Sequence, residues 1–267
     1  MKSIKWLIIP DIHGRDFWRD PVTQVLAETS ANIVFLGDYH DPYPHEWDYD
    51  VDCETRSVAN FKEIIELKKQ FPDRIILLIG NHDCGYAIGD DICSSRMDRR
   101  HRKELEKIFE ENKELFQIAS ECDIAGRHIV FSHAGILKGW ARIVWGREEM
   151  DEPGFNIVDQ LNQAWWENQY GVLDALGHYD MYRGWGGGYY GSPVWSDIRA
   201  WTKITPEETY GFNIVGHTQL DQNPVIFDTI ADVDLRRAFF LDDQGRLCDF
   251  STREEVKKTE LPIDEEA

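Results

Sequence analysis

The first apolar run of the chain, residues 4–10, places one lysine among Ile, Trp, Leu and Pro and predicts a strand buried on both faces. Residues 16–29 predict a helix, and residues 32–36, rich in β-branched side chains, predict a second strand. Over residues 54–70 the apolar positions Val58, Phe61, Ile64, Ile65 and Leu67 recur at helical spacing. Residues 74–79 read as a third strand, 99–116 as a charged helix and 127–132 as a fourth strand. Strands alternating with helices predict an α/β architecture whose helices cover the sheet.

The middle of the chain breaks this rhythm. Trp140, Trp145, Trp165, Trp166, Trp185, Trp195 and Trp201 fall between Gly139 and Trp201. They predict a helical insertion whose aromatics pack a small core of its own, the alternative being an exposed aromatic binding wall. The glycine-rich residues 184–191 read as loop. Short apolar runs at 212–215, 224–227, 237–241 and 246–250 then predict an antiparallel extension or second sheet. Neither repeats nor a dividing linker interrupt the chain, so the reading is a single domain over 1–250, carrying the Trp/Gly-rich insertion 139–201. A frayed acidic tail, 251–267, follows.

Charge changes the picture. The 29 Lys and Arg against 49 Asp and Glu leave a net −20, which argues against extended nucleic-acid binding through counterion release. An anionic substrate then needs a local positive centre, which a bound metal supplies. The apolar runs are strand-sized, so no membrane partner is expected, and the first run is too short for a secretory leader. Cys53, Cys84, Cys93, Cys122 and Cys248 are odd in number and never at CxxC spacing, which predicts reduced thiols in a cytoplasmic protein.

Five apolar runs end in residues that bind metals or move protons. The first ends Asp11-Ile12-His13-Gly14, the second Gly37-Asp38-Tyr39-His40-Asp41 and the third Gly80-Asn81-His82-Asp83. The fourth ends Ser132-His133-Ala134-Gly135, and a later one Gly216-His217-Thr218-Gln219. Ligands of α/β sheets sit at the carboxyl ends of strands, so these positions converge if the strands are neighbours. Gly14, Gly37, Gly80, Gly135 and Gly216 permit sharp turns and close backbone approach there. Asp11, Asp38, His13, His133, His217 and Asn81 offer carboxylate, imidazole and amide donors, a set that suits two divalent ions such as Mn, Fe, Zn or Ni, with Mn favoured. One carboxylate can bridge such a pair. His40, His45, His101, His128 and His178 lack a supporting motif and read as non-ligands, and Cys84 reads as a packing residue.

The ordered blocks DIH, GDYHD, GNHD, SHAG and GHTQ resemble those of the calcineurin-like metallophosphoesterase superfamily. They are closest to its branch of serine/threonine phosphoprotein phosphatases and bacterial diadenosine tetraphosphatases. Arg183-Gly184-Trp185-Gly186 and Gly191-Ser192-Pro193-Val194-Trp195-Ser196-Asp197 are similar to further segments of that branch. The resemblance implies a four-layer αββα sandwich with two central mixed sheets. It implies one metal held by Asp11, His13 and Asp38 and a second by Asp38, Asn81, His133 and His217, with Asp38 as the bridge. It further implies in-line attack on phosphorus by a metal-bridging hydroxide, with His82 as general acid and Asp41 orienting it.

Two departures from the family pattern bear on substrate. Asp41 is followed by Pro42, Tyr43 and Pro44, so the arginine that clamps phosphate in the protein phosphatases is missing; Arg183 and Arg199 are candidates to replace it. The acidic run over residues 46–54 is expected to repel highly anionic substrates near the mouth. In GHTQ the first metal lacks a histidine available to many superfamily members and is expected to be the more exchangeable. The reading is a metal-dependent phosphomonoesterase acting on a phosphorylated small molecule, nucleotide or phosphoprotein. The alternatives are a dinucleoside polyphosphate or nucleotide pyrophosphohydrolase and, from another class, a catalytically silent scaffold on the same fold.

Overall fold

The computed structural model describes residues 3–48, 51–89, 96–184 and 187–258. In chain order the first half comprises β1 (Ile4–Ile9), α1 (Arg19–Glu28), β2 (Asn32–Phe35), α2 (Cys53–Gln70), β3 (Ile75–Leu78), α3 (Asn81–Ala87), α4 (Arg102–Glu111), β4 (Phe116–Gln117), β5 (Ala119–Ile124) and β6 (Arg127–Ser132). The second half comprises α5 (Lys138–Met150), α6 (Ile157–Glu167), α7 (Tyr170–Ala175), α8 (Ile198–Trp201), β7 (Phe212–Val215), β8 (Val225–Ile226), β9 (Ile230–Asp232), β10 (Phe239–Asp242) and β11 (Leu247–Asp249).

The strands build two mixed sheets, ordered β11-β10-β1-β2-β3-β4 and β5-β6-β7-β9-β8. Strands β1 to β4 run parallel, as do β6, β7 and β9, while β10, β11, β5 and β8 pair antiparallel. Because side chains alternate along a strand, each sheet feeds two cores. Trp6, Ile8, Val34 and Leu36 of the first sheet meet Ile129, Phe131, Phe212 and Ile214 of the second, Trp6 and Phe131 lying 4.9 Å apart. The alternate residues Leu7, Ile9, Ile33 and Phe35 face Val22, Phe61, Ile64 and Phe109 of α1, α2 and α4. Val130 and Val215 belong to the same outer cluster as Trp140 and Leu161 of α5 and α6. Helices outside two facing sheets give the expected αββα order.

Helix α2 starts where Asp52 accepts from Thr55 N, a side-chain cap for an otherwise orphaned donor. The expected helix at 99–116 is shorter, because the chain straightens into β4 at Phe116. Strands β4, β5 and β9 and helix α3 were not expected from the pattern. Strand β5, Ala-Ser-Glu-Cys-Asp-Ile, is a polar sheet edge, and α3 is built from Asn, His, Asp and Gly, all poor helix formers. The tryptophans do not pack a separate core: Trp140, Trp165 and Trp201 are buried in the cluster that also holds strand residues of both sheets. Trp185 and Gly186, Cys93, Tyr49 and Asp50 of the acidic run, and residues 259–267 of the tail lie outside the described residues. Residues 251–258 return against β11, where Val256 N donates to Leu247 O.

Candidate active site

The parallel strands deliver their carboxyl ends to one place. Asp11 follows β1, Asp38 follows β2, Asn81 and His82 follow β3, His133 follows β6 and His217 follows β7. All are buried. The turns that present them are strained: His13, Asp38, Asp41 and His217 have φ of 42°, 52°, 56° and 71°, a region most side chains avoid. Such strain persists where surrounding contacts over-determine the backbone, and it clusters at functional sites. Two glycines are required by crowding. A Cβ on Gly80 would stand 2.2 Å from Asp38 Oδ1, and one on Gly216 would stand 2.1 Å from Asp11 Oδ1.

The imidazoles are fixed by their outer nitrogens. His13 Nδ1 lies 2.9 Å from His40 O and His133 Nδ1 lies 2.8 Å from Leu36 O. A carbonyl only accepts, so both Nδ1 atoms donate, and in the neutral ring Nε2 turns a bare lone pair inward. These lone pairs stand 3.5 Å and 3.6 Å from Asp38 Oδ2. His133 Nε2, His217 Nδ1 and Asn81 Oδ1 form a triangle with edges of 2.9, 2.9 and 3.1 Å. At most one proton, on His217 Nδ1, can serve three such acceptors, and His217 Nε2 is buried without a partner. That surplus of lone pairs fits a cation. Of three convergent groups among the described residues, Asp38 belongs to the two that are fully buried, with Asp11 and His133 on one side and with His13 and His82 on the other; the third is Glu54, Asp98 and His101.

Electrostatics agree. Burial raises the Asp11 carboxyl, and burial followed by the Asp11 charge raises Asp38 well above the usual carboxylate range. Burial pushes His13 and His217 well below the usual imidazole range, so both are neutral ligand candidates.

His82 Nδ1 lies 2.7 Å from Asp41 Oδ2. Three residues not picked out by the motifs brace this pair and its loops. Tyr86 Oη donates to Asp41 Oδ1 at 2.5 Å, and Asp98 N donates to Tyr86 Oη at 2.7 Å. Asp83 accepts from the backbone N–H groups of Asp38, Tyr39 and Gly80 at 2.7, 3.1 and 2.8 Å, stapling the second motif to the third. Asp83 stood inside a quoted block and Tyr86 one turn beyond it, yet neither type at that spacing signals the role. Asp234, just past β9, adds a buried carboxyl whose charge bears on Asp11 and Asp38. At three residues, β9 is too short for its apolar pattern to mark a strand in the sequence.

Arg183 reaches the rim, but its Nε pairs with Asp197 at 2.9 Å and its terminal nitrogen donates to Thr218 Oγ1 at 2.8 Å. Arg199 binds the same Asp197. The side chains of His40 and His101 both bond Asp98 and that of His128 bonds Glu121, so none of the three joins the donors around Asp38. At the mouth Glu46 is paired with Arg15 and Arg236, which offsets the first charge of the acidic run. Trp195 stands edge-on to His217, with ring centroids 5.6 Å apart.

Two mixed sheets whose strand ends converge on Asp, His and Asn donors define a metallophosphoesterase-type centre. The model of the calcineurin-like phosphoesterase family matches residues 4–220, and the chain belongs to that family. Among curated relatives it is similar to a probable serine/threonine-protein phosphatase of Encephalitozoon cuniculi, 24% identical over 135 residues, or 49% of this chain and 26% of that protein. The chain thus spans about a quarter of that relative's length. Among solved structures it resembles the cold-active protein-tyrosine phosphatase of a psychrophilic Shewanella species, with TM-score 0.59 and 16% identity over 96% of this chain and 81% of that one. A second structure of a cold-active protein tyrosine phosphatase gives TM-score 0.55 and 17% identity over 92% and 75%. These likenesses show the fold. Among the described residues no helix is long and apolar enough to cross a membrane.

Proposed function

We propose that the protein is a dinuclear-metal phosphomonoesterase, serine/threonine-phosphatase-like in its site. Asp11, His13 and Asp38 would hold one divalent ion and Asp38, Asn81, His133 and His217 a second, manganese being favoured. Asp38's place in both fully buried donor groups, with Asp11 and His133 and with His13 and His82, is the observation that supports a shared carboxylate between two ions. When bound, such ions supply a nucleophile near neutral pH and offset phosphoryl charge, the local positive centre that a chain of net −20 needs.

The chain's own residues do the rest. His133 and His13 are locked in the tautomer that presents Nε2. Asp41 holds the His82 proton on Nδ1 and supports the imidazolium that donates from Nε2 to the departing oxygen. Tyr86 and the Asp98 amide keep the Asp41 carboxylate from rotating. We read the chain as one domain over 1–250 acting in the cytoplasm on a phosphorylated small molecule, nucleotide or phosphoprotein.

The test compares p-nitrophenyl phosphate with its bis-ester in Mn²⁺, with and without chelator, beside His82→Ala. Turnover of the monoester alone, abolished by chelator and strongly reduced in the variant, supports the proposal. Preference for the bis-ester, or activity indifferent to His82, overturns it.

A further inference from the structure

The arginines around the site are mostly engaged. Arg15 lies bidentate on Glu46, Arg236 pairs with the same carboxylate, and Arg183 and Arg199 share Asp197. Arg96 differs. Among the described residues it has no carboxylate partner, and its buried Nε has no hydrogen-bond partner. Its guanidinium lies 3.7 Å over the Tyr43 ring, and one terminal nitrogen is 3.3 Å from His82 Nε2, the atom that faces a departing oxygen.

This placement is built. Two residues on, Asp98 is buried and fixed on every side. Its N–H reaches Tyr86 Oη at 2.7 Å and Asp41 Oδ1 at 3.2 Å, while its carboxylate meets His40 Nε2 at 3.0 Å, His101 Nδ1 at 2.7 Å and Arg100 N at 2.7 Å. The segment carrying Arg96 is therefore bolted to the carboxylate that orients His82. Tyr43 in turn stands edge-on to His13, with ring centroids 5.0 Å apart.

Taking the phosphatase reading as given, we propose that Arg96 clamps the substrate: stacked on Tyr43 beside His82, its guanidinium grips two non-bridging oxygens of a phosphate monoester dianion. A planar fork with five donors matches that geometry, and stacking on an aromatic face holds it ready without a competing carboxylate. Arg96 then supplies from the segment before α4 what the turn after Asp41 lacks. In the free protein the guanidinium donates to His82 Nε2. When it turns to the phosphoryl group, the Nε2 lone pair can take a proton from solvent, the proton His82 then gives to the leaving oxygen.

The test uses the full chain loaded with Mn²⁺, as wild type, Arg96→Lys and Arg96→Met, with thermal unfolding followed for each. Inorganic phosphate is titrated calorimetrically, and p-nitrophenyl phosphate turnover is measured in parallel. Loss of a charge-assisted fork predicts that Arg96→Met weakens phosphate about 10- to 100-fold and raises KM comparably, with kcat less affected. Arg96→Lys, keeping charge without the fork, falls between. Phosphate affinity within about twofold of wild type in a folded Arg96→Met overturns the clamp, as does a loss of affinity matched by unfolding in both variants. A wild type that binds phosphate more tightly than Arg96→Met yet cleaves no monoester sustains the clamp and sinks the phosphatase reading. One that neither binds nor cleaves sinks both.

Discussion

His82 Nδ1 stands 2.7 Å from Asp41 Oδ2, and Asp41 Oδ1 accepts from both Tyr86 Oη and Asp98 N. The carboxylate is thus oriented by two donors so that it can orient a third. Asp41→Asn keeps the shape but presents an amide that cannot stabilise an imidazolium. Its kcat should fall about 100-fold or more with KM little changed, and adding salt or buffer acid should not restore it. Steady-state kinetics on p-nitrophenyl phosphate give the answer; an unchanged kcat would remove His82 from the proton-donating role.

Asp83 gives a prediction for stability rather than rate. Its two oxygens satisfy three backbone N–H groups from two different turns. Asp83→Asn leaves one amide oxygen and opposes the remaining donors with another donor. Unsatisfied buried N–H groups cost about 1–3 kcal/mol each, so the metal-free variant should lose about 3 kcal/mol in urea unfolding. A loss below about 0.5 kcal/mol would mean that solvent replaces these bonds and that the staple is unimportant.

The contrast between Asp83 and Asp38 shows what a sequence can and cannot reveal here. Asp11, Asp38, Asn81, His82, His133 and His217 each follow a hydrophobic run, so strand ends announced them and parallel pairing then brought them together. The outer layers were legible for the same reason, since long helices such as α2 repeat their apolar face. Short polar elements carry no such period: β5 is a polar sheet edge without regular alternation, and β9 has three residues. Arg96, Tyr86 and Asp98 act through contacts spanning tens of residues, and no local pattern marks a partner 41 or 57 positions away, as with His82 or Asp98 on Asp41. Arg183 matched a motif, yet its guanidinium is held by Asp197 and Thr218.

Gly80 tests the packing of the site directly. Its Cβ would meet Asp38 Oδ1 at 2.2 Å and Asp38 N at 2.6 Å, atoms that cannot move without shifting the carboxylate common to both donor groups. Gly80→Ala should therefore reduce activity about 100-fold, because displacing reacting groups by about 1 Å is that costly. The thermal shift produced by Mn²⁺ should shrink in parallel. A variant with wild-type metal response and rate would show that the turn can relax away from Asp38.

Metal binding should be linked to pH through the same carboxylates. Burial, and for Asp38 the neighbouring Asp11, raises both carboxyls from the ordinary value of 3.8. Without cations the folded state holds protons there that the unfolded chain has released, so the pair's contribution to stability falls as pH rises through the window from 3.8 up to the raised values. His13 and His217 shift the other way. Below the ordinary 6.5 the unfolded chain holds imidazole protons that the folded state lacks, so their contribution rises with pH and opposes that of the carboxyls up to that value. A divalent ion competes with the carboxyl protons and relieves the repulsion between Asp11 and Asp38. At fixed free Mn²⁺ about 100-fold above Kd, the stabilisation should approach about 2.7 kcal/mol near neutrality. It should shrink markedly at about pH 5, with proton release on binding that calorimetry in buffers of different ionisation enthalpy detects. An increment independent of pH, without proton release, would place the ion away from Asp11 and Asp38.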